Sequence, residues 1–456
     1  MSSKGLWPLF LFLTYALLSP ETAITSQNGV MLLGSKKLDY SEDQPILGIS
    51  SIRYDKAHNQ FILLSDDTGA IPNYYNKNGS PRYYLIPEET LIRRKGIAKS
   101  KGTFLQESGR RVREVVIEPN DSVFWTTHGH IDTEGFDFLG DSAFLVASEQ
   151  NATFLFNLVY PWIRFPGWNI HSSLLKVGRD GSLLGAYQYP SEFSNIGWRF
   201  DWKIPHWVPG IYDTQFNWHS EDPNKKGVKR NRGFETVIHL PGTPDYLAIS
   251  EQGILQDEQD RDHYKDPLPS RVLRFSMAEA VHQVSASVKP EIQYHYQPTS
   301  VPAELYNPRT DVIVQSISDA QAVNNHQFLV IEKNFIKAAN RKTVNYTYSE
   351  VYLVDLDAPL PPNQGNKCTC PEEKPKETAN TSLPLLRKKR LLSTRDFEKT
   401  FPDFKRINIE GVTIGPDGTN DSRLLVLVSD NGANFPKPRS TDVIFFKVPE
   451  KLFKMQ

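Results

Sequence analysis

The sequence predicts an all-β fold, a β-propeller of about five four-stranded blades, with six left open. Three observations carry this. A β-hairpin bounded by acidic residues recurs five times. Further strand-like runs lie between the copies. The N-terminal segment offers the strand that the last copy lacks.

The hairpins are read at 48–67, 134–150, 235–252, 319–334 and 408–431. Each has a short strand, a turn rich in Gly, Pro, Asp or Asn, and a second apolar strand. The start position is acidic at Glu134, Glu235, Asp319 and Glu410, and is Gly48 in the first copy. The second strand ends in Asp66, Glu149, Glu251, Glu332 or Asp430. Copies sit roughly 90 residues apart, a period typical of repeat architectures. Between them lie "RYYLI" and "REVVIE", "SLLKV" and "LLGAYQY", "RVLRFSM" and "IQYHYQ", then "SEVYLVDL". That makes about four strands per unit. The last unit has "DVIFFKV" as its third strand, and "GVMLLGSKKLDY" near the N-terminus would supply its fourth and close the ring. The propeller domain is read over 29–450.

In a propeller the first strand of each blade lines the central channel, so equivalent residues form rings around it. Nine carboxylates crowded at one end cannot all ionise without compensation. Protons, basic partners such as Arg53, Arg232 and Lys333, or a cation would supply it. Oxygen-only ligands in such number suit Ca²⁺. The competing reading is that the acids cap backbone N–H groups and fix packing between blades.

The segments "NRGFE", "LAISEQGILQDE", "SEVYLVDL" and the ending "EGVTIGPDG…LLVLVSDN" resemble the phytase-like domain, also called "esterase-like activity of phytase". The resemblance runs from about Gly48 to Val448. It implies an esterase or phosphoesterase activity resting on recurrent Glu and Asp. Carried onto this chain, the matching positions are Glu134, Glu149, Arg232, Glu235, Glu251, Asp257, Asp319, Glu332, Glu410 and Asp430. Glu235-Thr236, Asp319-Ala320 and Gly48 depart from the family's Glu-Gly pattern.

The first 23 residues read as a signal peptide: Lys4, an apolar run from Leu6 to Leu18, then small residues to Ala23. An uncleaved anchor is the alternative. The sequons at Asn78, Asn120, Asn151, Asn345, Asn380 and Asn420 then point to a secreted glycoprotein. No later run is apolar enough to span a bilayer. A net charge of −1 argues against a nucleic-acid partner. The two cysteines, Cys368 and Cys370, cannot build a disulfide framework and read as a loop feature. His128 and His130, with Asp132 and Glu134, invite a metal reading but lack a third placed histidine for zinc. There is no G-x-S-x-G elbow and no phosphate-loop motif.

Six of eight tryptophans fall in an aromatic insertion near 160–230, read as a lid over the channel or as a small satellite core. Residues 358–406 read as a polar, basic loop, with Arg387–Arg390 as a processing site or a solvated charge cluster.

The function these readings suggest is metal-assisted ester or phosphoester hydrolysis. The channel acids Glu134, Glu149, Asp319, Glu332, Glu410, Asp430 and Asp66 would hold Ca²⁺. Glu235 or Glu251 would act as base, and Arg232 would contact the substrate's charge. The rivals are a non-catalytic, Ca²⁺-stabilised propeller binding a protein, glycan or mineral matrix, and a lactonase-type propeller.

Overall fold

The computed structural model describes residues 24–26, 28–38, 46, 48–65, 81–92, 113–117, 132–149, 151–154, 166–170, 172–193, 196–201, 206–211, 227–228, 232–258, 267–337, 346–360, 383–399, 401–416, 421–430 and 441–455. The fold is all-β and propeller-like, built from antiparallel four-stranded units. In chain order the unit strands are β1 (Met31–Leu38), β2 (Ile49–Asp55), β3 (Gln60–Ser65), β4 (Arg82–Pro87), β5 (Arg113–Val116), β6 (Thr133–Leu139), β7 (Ala143–Ser148), β8 (Ser173–Gly178), β9 (Leu183–Gln188) and β10 (Phe234–His239). They continue with β11 (Asp245–Ser250), β12 (Ser270–Ser276), β13 (Ile292–Tyr296), β14 (Val312–Ala322), β15 (Gln327–Lys337), β16 (Tyr346–Leu360), β17 (Leu385–Ser393), β18 (Asn408–Ile414), β19 (Ser422–Asp430) and β20 (Thr441–Pro449).

Strands β2–β5 form the first unit and β6–β9 the second. The third is β10–β13 and the fourth β14–β17. The fifth is β18–β19–β20, with β1 paired antiparallel to β20 from Met31↔Lys447 to Leu38↔Thr441. The N-terminal segment therefore does complete the last unit.

The first strands touch in a cycle: β2 against β6, β6 against β10, β10 against β14, β14 against β18, and β18 against β2. The cores follow the same cycle. Five apolar clusters each join residues of two successive units, such as Ile62 and Leu64 with Phe144 and Val146, or Leu329 and Leu353 with Leu425 and Ile444. Strands buried on both faces need near-continuous apolar runs rather than alternation, which explains "QFILLS", "AFLVAS" and "DYLAIS". Each fully buried aliphatic or aromatic side chain contributes about 1.5–3 kcal/mol.

Two expectations need correction or limits. The basic loop over 358–406 is interrupted by β17, which holds Arg387–Arg390 in register with Tyr352–Asp355 of β16. Lys388 binds Glu332, and Arg390, itself half exposed, binds Glu350 at 2.8 Å, so the run lies on a strand with at least two of its four charges paired. Two ribbons lie in or beside the aromatic insertion: Asn151–Phe154, just ahead of it, with Pro166–Ile170, and Ile196–Asp201 with His206–Ile211. Cys368, Cys370, residues 1–23 and the sequons other than Asn151 lie outside the described residues.

Candidate functional site

Each of the five hairpins carries a β-bulge at the same place. The register slips between Ile49 and Ser51, Thr133 and Phe136, Phe234 and Thr236, Ile317 and Asp319, and Ile409 and Gly411. The extra residues are Ser50, Glu134, Glu235, Ser318 and Glu410. A bulge re-aims its side chain away from the regular pleat. Here the re-aimed residues meet those that follow the partner strand at its end.

The partner positions are set by register too. Ser65, Ser148, Ser250, Glu332 and Ser429 pair with the last residue before each bulge. The next residues along are Asp66, Glu149, Glu251, Lys333 and Asp430. One cavity of about 130 Å³ is lined by Ser50, Glu134, Glu149, Arg232, Glu235, Glu251, Lys333, Glu410 and Asp430. All but Arg232 come from these two sets of equivalent positions. The expected convergence of Glu134, Glu149, Glu235, Glu251, Glu410 and Asp430 is thus present.

The fourth unit is different, and both of its expected ligands need correction. Asp319 sits one residue past the bulge, where the other units have Ser51, Gly135, Thr236 and Gly411. It is fully buried on the axis. Arg53 donates to its two oxygens at 2.8 and 3.0 Å, Thr236 Oγ1 at 2.8 Å, Ser51 Oγ at 3.1 Å and the Val412 N–H at 3.0 Å. Its acceptor capacity is spent on three other units. The inner strands are very close here. A Cβ on Gly135 would stand 2.5–2.7 Å from Thr236, and one on Gly411 2.9 Å from the Ile52 nitrogen. That contact is the reason for Gly after Glu in the second and fifth units.

Glu332 also faces away from the cavity. It accepts from Tyr296 Oη at 2.6 Å, from the Thr299 N–H at 2.9 Å and from Lys388. The cavity position belongs to its neighbour Lys333, whose Nζ lies 2.6 Å from Glu410 Oε1. Asp257 binds Arg271 at 2.7 Å and does not line the cavity. Asp66, His128 and His130 lie outside the described residues.

Within the cavity, Glu149, Glu235 and Glu251 bring one oxygen each within 4.8 Å of one another, and Asp132, Glu134 and Glu149 do the same. Arg232 pairs with Glu251. Glu149 accepts the Gly233 N–H at 2.7 Å. Glu235 is only 7% exposed, yet it makes no hydrogen bond or ion pair among the described residues. Burial pushes the Glu235 carboxyl well above the usual range, and the adjacent Glu251 and Glu149 push it further. The Glu149 carboxyl is raised well above that range by burial, then by Glu251 and Asp132, against the pull of Gly233 and Arg232. Burial also raises Glu410, and the Lys333 pair opposes that rise. Burial alone would lower Lys333, but Glu410, Glu251 and Glu235 hold it above its ordinary value.

An all-oxygen donor set with an unpartnered buried carboxylate fits a hard cation such as Ca²⁺ or Mg²⁺, and gives no sulfur or described nitrogen donor for a softer one. A profile described as "Phytase-like: Esterase-like activity of phytase" matches residues 44–433. The chain belongs to the phytase-like family. No curated protein matches this phytase-like chain. Among solved structures, the N-terminal domain of Nup159 aligns at 11% identity and a TM-score of 0.30, covering 93% of this chain and 97% of that one. Hydrazine synthase of Kuenenia stuttgartiensis aligns at 9% identity and a TM-score of 0.28, covering 86% and 81%. Likenesses at that level carry no weight for fold or function.

The axial rivet of Arg53 and Asp319 was missed as a unit by sequence reasoning. Its signal was slight: Arg53 and Asp319 are charges on the first strands of their hairpins, in runs that also carry serine and, around Asp319, glutamine.

Proposed function

We propose that this phytase-like protein is a secreted, glycosylated five-bladed propeller whose carboxylate cavity hydrolyses an ester or phosphoester with the help of a hard cation. The cyclic contacts of the five first strands and the pairing of β1 with β20 support the five-bladed ring. The leader-like N-terminus and the sequons support secretion and glycosylation. Among the described residues no helix is long and apolar enough to cross a membrane.

One observation carries the catalytic reading. Three carboxylates from two adjacent units, Glu149, Glu235 and Glu251, converge in a cavity that also holds Arg232 and Lys333. A bound cation would polarise the ester or phosphoryl oxygen. Arg232, held by Glu251, presents donors to the charge that develops there. Glu235 makes no hydrogen bond or ion pair among the described residues, which leaves its carboxyl available to a water in the cavity. Glu251, tied to Arg232, is the weaker of the two expected bases. A cavity of about 130 Å³ lies below the roughly 300–1,000 Å³ of sites that enclose a drug-sized ligand, so it would take the reacting group and not the whole of a large substrate.

The test is hydrolysis of a carboxylic ester, a phosphomonoester, a phosphodiester, a lactone and phytate by the purified protein, with Ca²⁺ and with chelator. Chelator-sensitive turnover that disappears in Glu235→Gln is the expected result, and the active substrate separates the lactonase-type variant of this reading. Absence of turnover in a folded sample would overturn it in favour of a non-catalytic extracellular propeller. The strongly acidic, small cavity is the feature that favours that second reading, because it would hold a structural ion equally well.

A further inference from the structure

Lys333 occupies the position at which the second, third and fifth units carry Glu149, Glu251 and Asp430. It is the one described cavity position of that set with a positive charge. The cavity wall holds six carboxylates and two cationic side chains, a formal charge of −4 if all ionise. The compensation is uneven. Lys333 pairs with Glu410, and Arg232 pairs with Glu251. Glu149 and Glu235 make no ion pair among the described residues, although both are buried and adjoin Glu251. Glu149 and Glu235, the two buried cavity carboxylates with no ion pair among the described residues, both lie on the side formed by the second and third units.

We infer that the cavity binds one divalent cation, held by Glu149, Glu235 and Glu251, and that the Lys333 ammonium is a tethered cation occupying the place of a second. This rests on the reading above and deepens it, since it locates the ion and names its stoichiometry; Glu235 then serves as a ligand that holds the ion and not as a free base. The unpartnered, nine-tenths buried Glu235 carboxylate is what marks the side. An isolated buried carboxylate is costly, and a hard cation at 2.3–2.6 Å from its oxygens is the ligand that offsets that cost. A second divalent ion at Glu410 would stand against the Lys333 Nζ, already 2.6 Å from Glu410 Oε1. Like charges at that range repel by several kcal/mol even at an effective dielectric constant of about 20.

The experiment is calorimetric titration of the full chain with CaCl₂ and with MgCl₂, alongside thermal unfolding in chelator and in excess metal. No substrate is present. One equivalent should bind the wild-type protein and raise its unfolding temperature. Glu235→Gln should weaken binding by at least about tenfold, as loss of a ligand must exceed the tenfold effects seen for outer partners. In chelator this variant should unfold no earlier than wild type, because it loses an unpaired buried charge. Lys333→Gln should act in the opposite sense and tighten binding of the first ion. Lys333→Gln/Glu410→Gln, which removes the ion pair as a whole, should return affinity close to wild type and guards against a folding defect in the single variant. No metal-dependent heat or temperature shift in folded wild type would overturn the inference. Two equivalents in wild type, retained binding in Glu235→Gln, or weaker binding in Lys333→Gln would also overturn it. Ion binding without hydrolysis would leave the inference standing and remove the hydrolase; hydrolysis with no ion bound would overturn the inference and leave a hydrolase that works without a cation.

Discussion

The Arg53 guanidinium grips both oxygens of Asp319 at the centre of the fold, where the two side chains are 1% and 0% exposed. Arg53 also donates to the carbonyls of Ile52, Val412 and Ala320 at 2.7, 3.2 and 2.7 Å. Its carbon lies 5.5 Å from the centroid of the Phe136 ring. The pair thus touches each of the five strand units among the described residues, since Thr236 of the third also donates to Asp319.

Removing one partner of this pair leaves a buried charge with nothing to offset it. Asp319→Ala is expected to cost about 3–5 kcal/mol, the range for breaking a buried ion pair. Asp319→Asn, whose single amide oxygen can keep an acceptor for Thr236 or for Ser51 but not for both, should cost less than the alanine variant. Chemical unfolding followed by tryptophan fluorescence measures both. Equal stability of Asp319→Ala and wild type would contradict the riveting role.

A second expectation concerns pH. Burial raises the Asp442 carboxyl to about 6, with Asp403 adding to the rise and Lys37 opposing it. One of its oxygens is buried without a hydrogen-bond partner. The folded state then binds this proton more tightly than the unfolded chain, whose aspartates titrate near 3.9. Stability from this group is present below about pH 4 and is lost as pH rises toward 6. Asp442→Asn should therefore stabilise the protein at pH 7 by something on the order of 1–3 kcal/mol, and should gain little at pH 4. Urea unfolding in chelator at both pH values gives the comparison; the same gain at both would show that the charge is not the cause.

Proteolysis offers a third test. Arg387, Lys388, Lys389 and Arg390 pair in register with β16, and Lys388 Nζ also lies over the Tyr296 and Tyr352 rings at 4.8 and 4.4 Å. A basic-specific protease needs this strand to leave the sheet. Cleavage after Arg390 in the native protein should be at least about a hundredfold slower than after denaturation, because the strand must open from β16 before a protease can bind it. Fragment masses over time decide it, and rapid cleavage at Arg390 in the folded protein would refute it.

Much of the architecture was legible because hairpins declare themselves locally. Strand-turn-strand runs marked four units almost completely, and the N-terminal strand for the fifth followed from counting. Strand β17 was not legible, because "LLRKKRLLS" reads as surface charge until Glu332 and Glu350 are known to face it. The site was legible in three units and shifted by one residue in the fourth. Aligning acid with acid put Asp319 and Glu332 in the ring, but bulges and register decide the face, and a one-residue slip reverses it. A usable cue existed. A serine precedes the acid in Ser65-Asp66, Ser148-Glu149, Ser250-Glu251 and Ser429-Asp430. The Ser250 and Ser429 hydroxyls accept the Arg271 and Asp442 N–H groups, each at 2.8 Å. In the fourth unit Glu332 takes the serine's place, accepting the Thr299 N–H, so Lys333 takes the acid's.

The pairing of β1 with β20 has a consequence for biosynthesis. Met31 emerges from the ribosome long before Lys447, yet they are partners. The earlier strand must wait, with its apolar face and open hydrogen bonds, for the later one. Closing so long a loop costs on the order of 5 kcal/mol in chain entropy, which only the finished sheet returns. A nascent chain stalled before residue 441 and a mature chain clipped before residue 39 would therefore share one defect, an exposed strand edge in the same sheet, and would engage the same chaperones and aggregate by the same route.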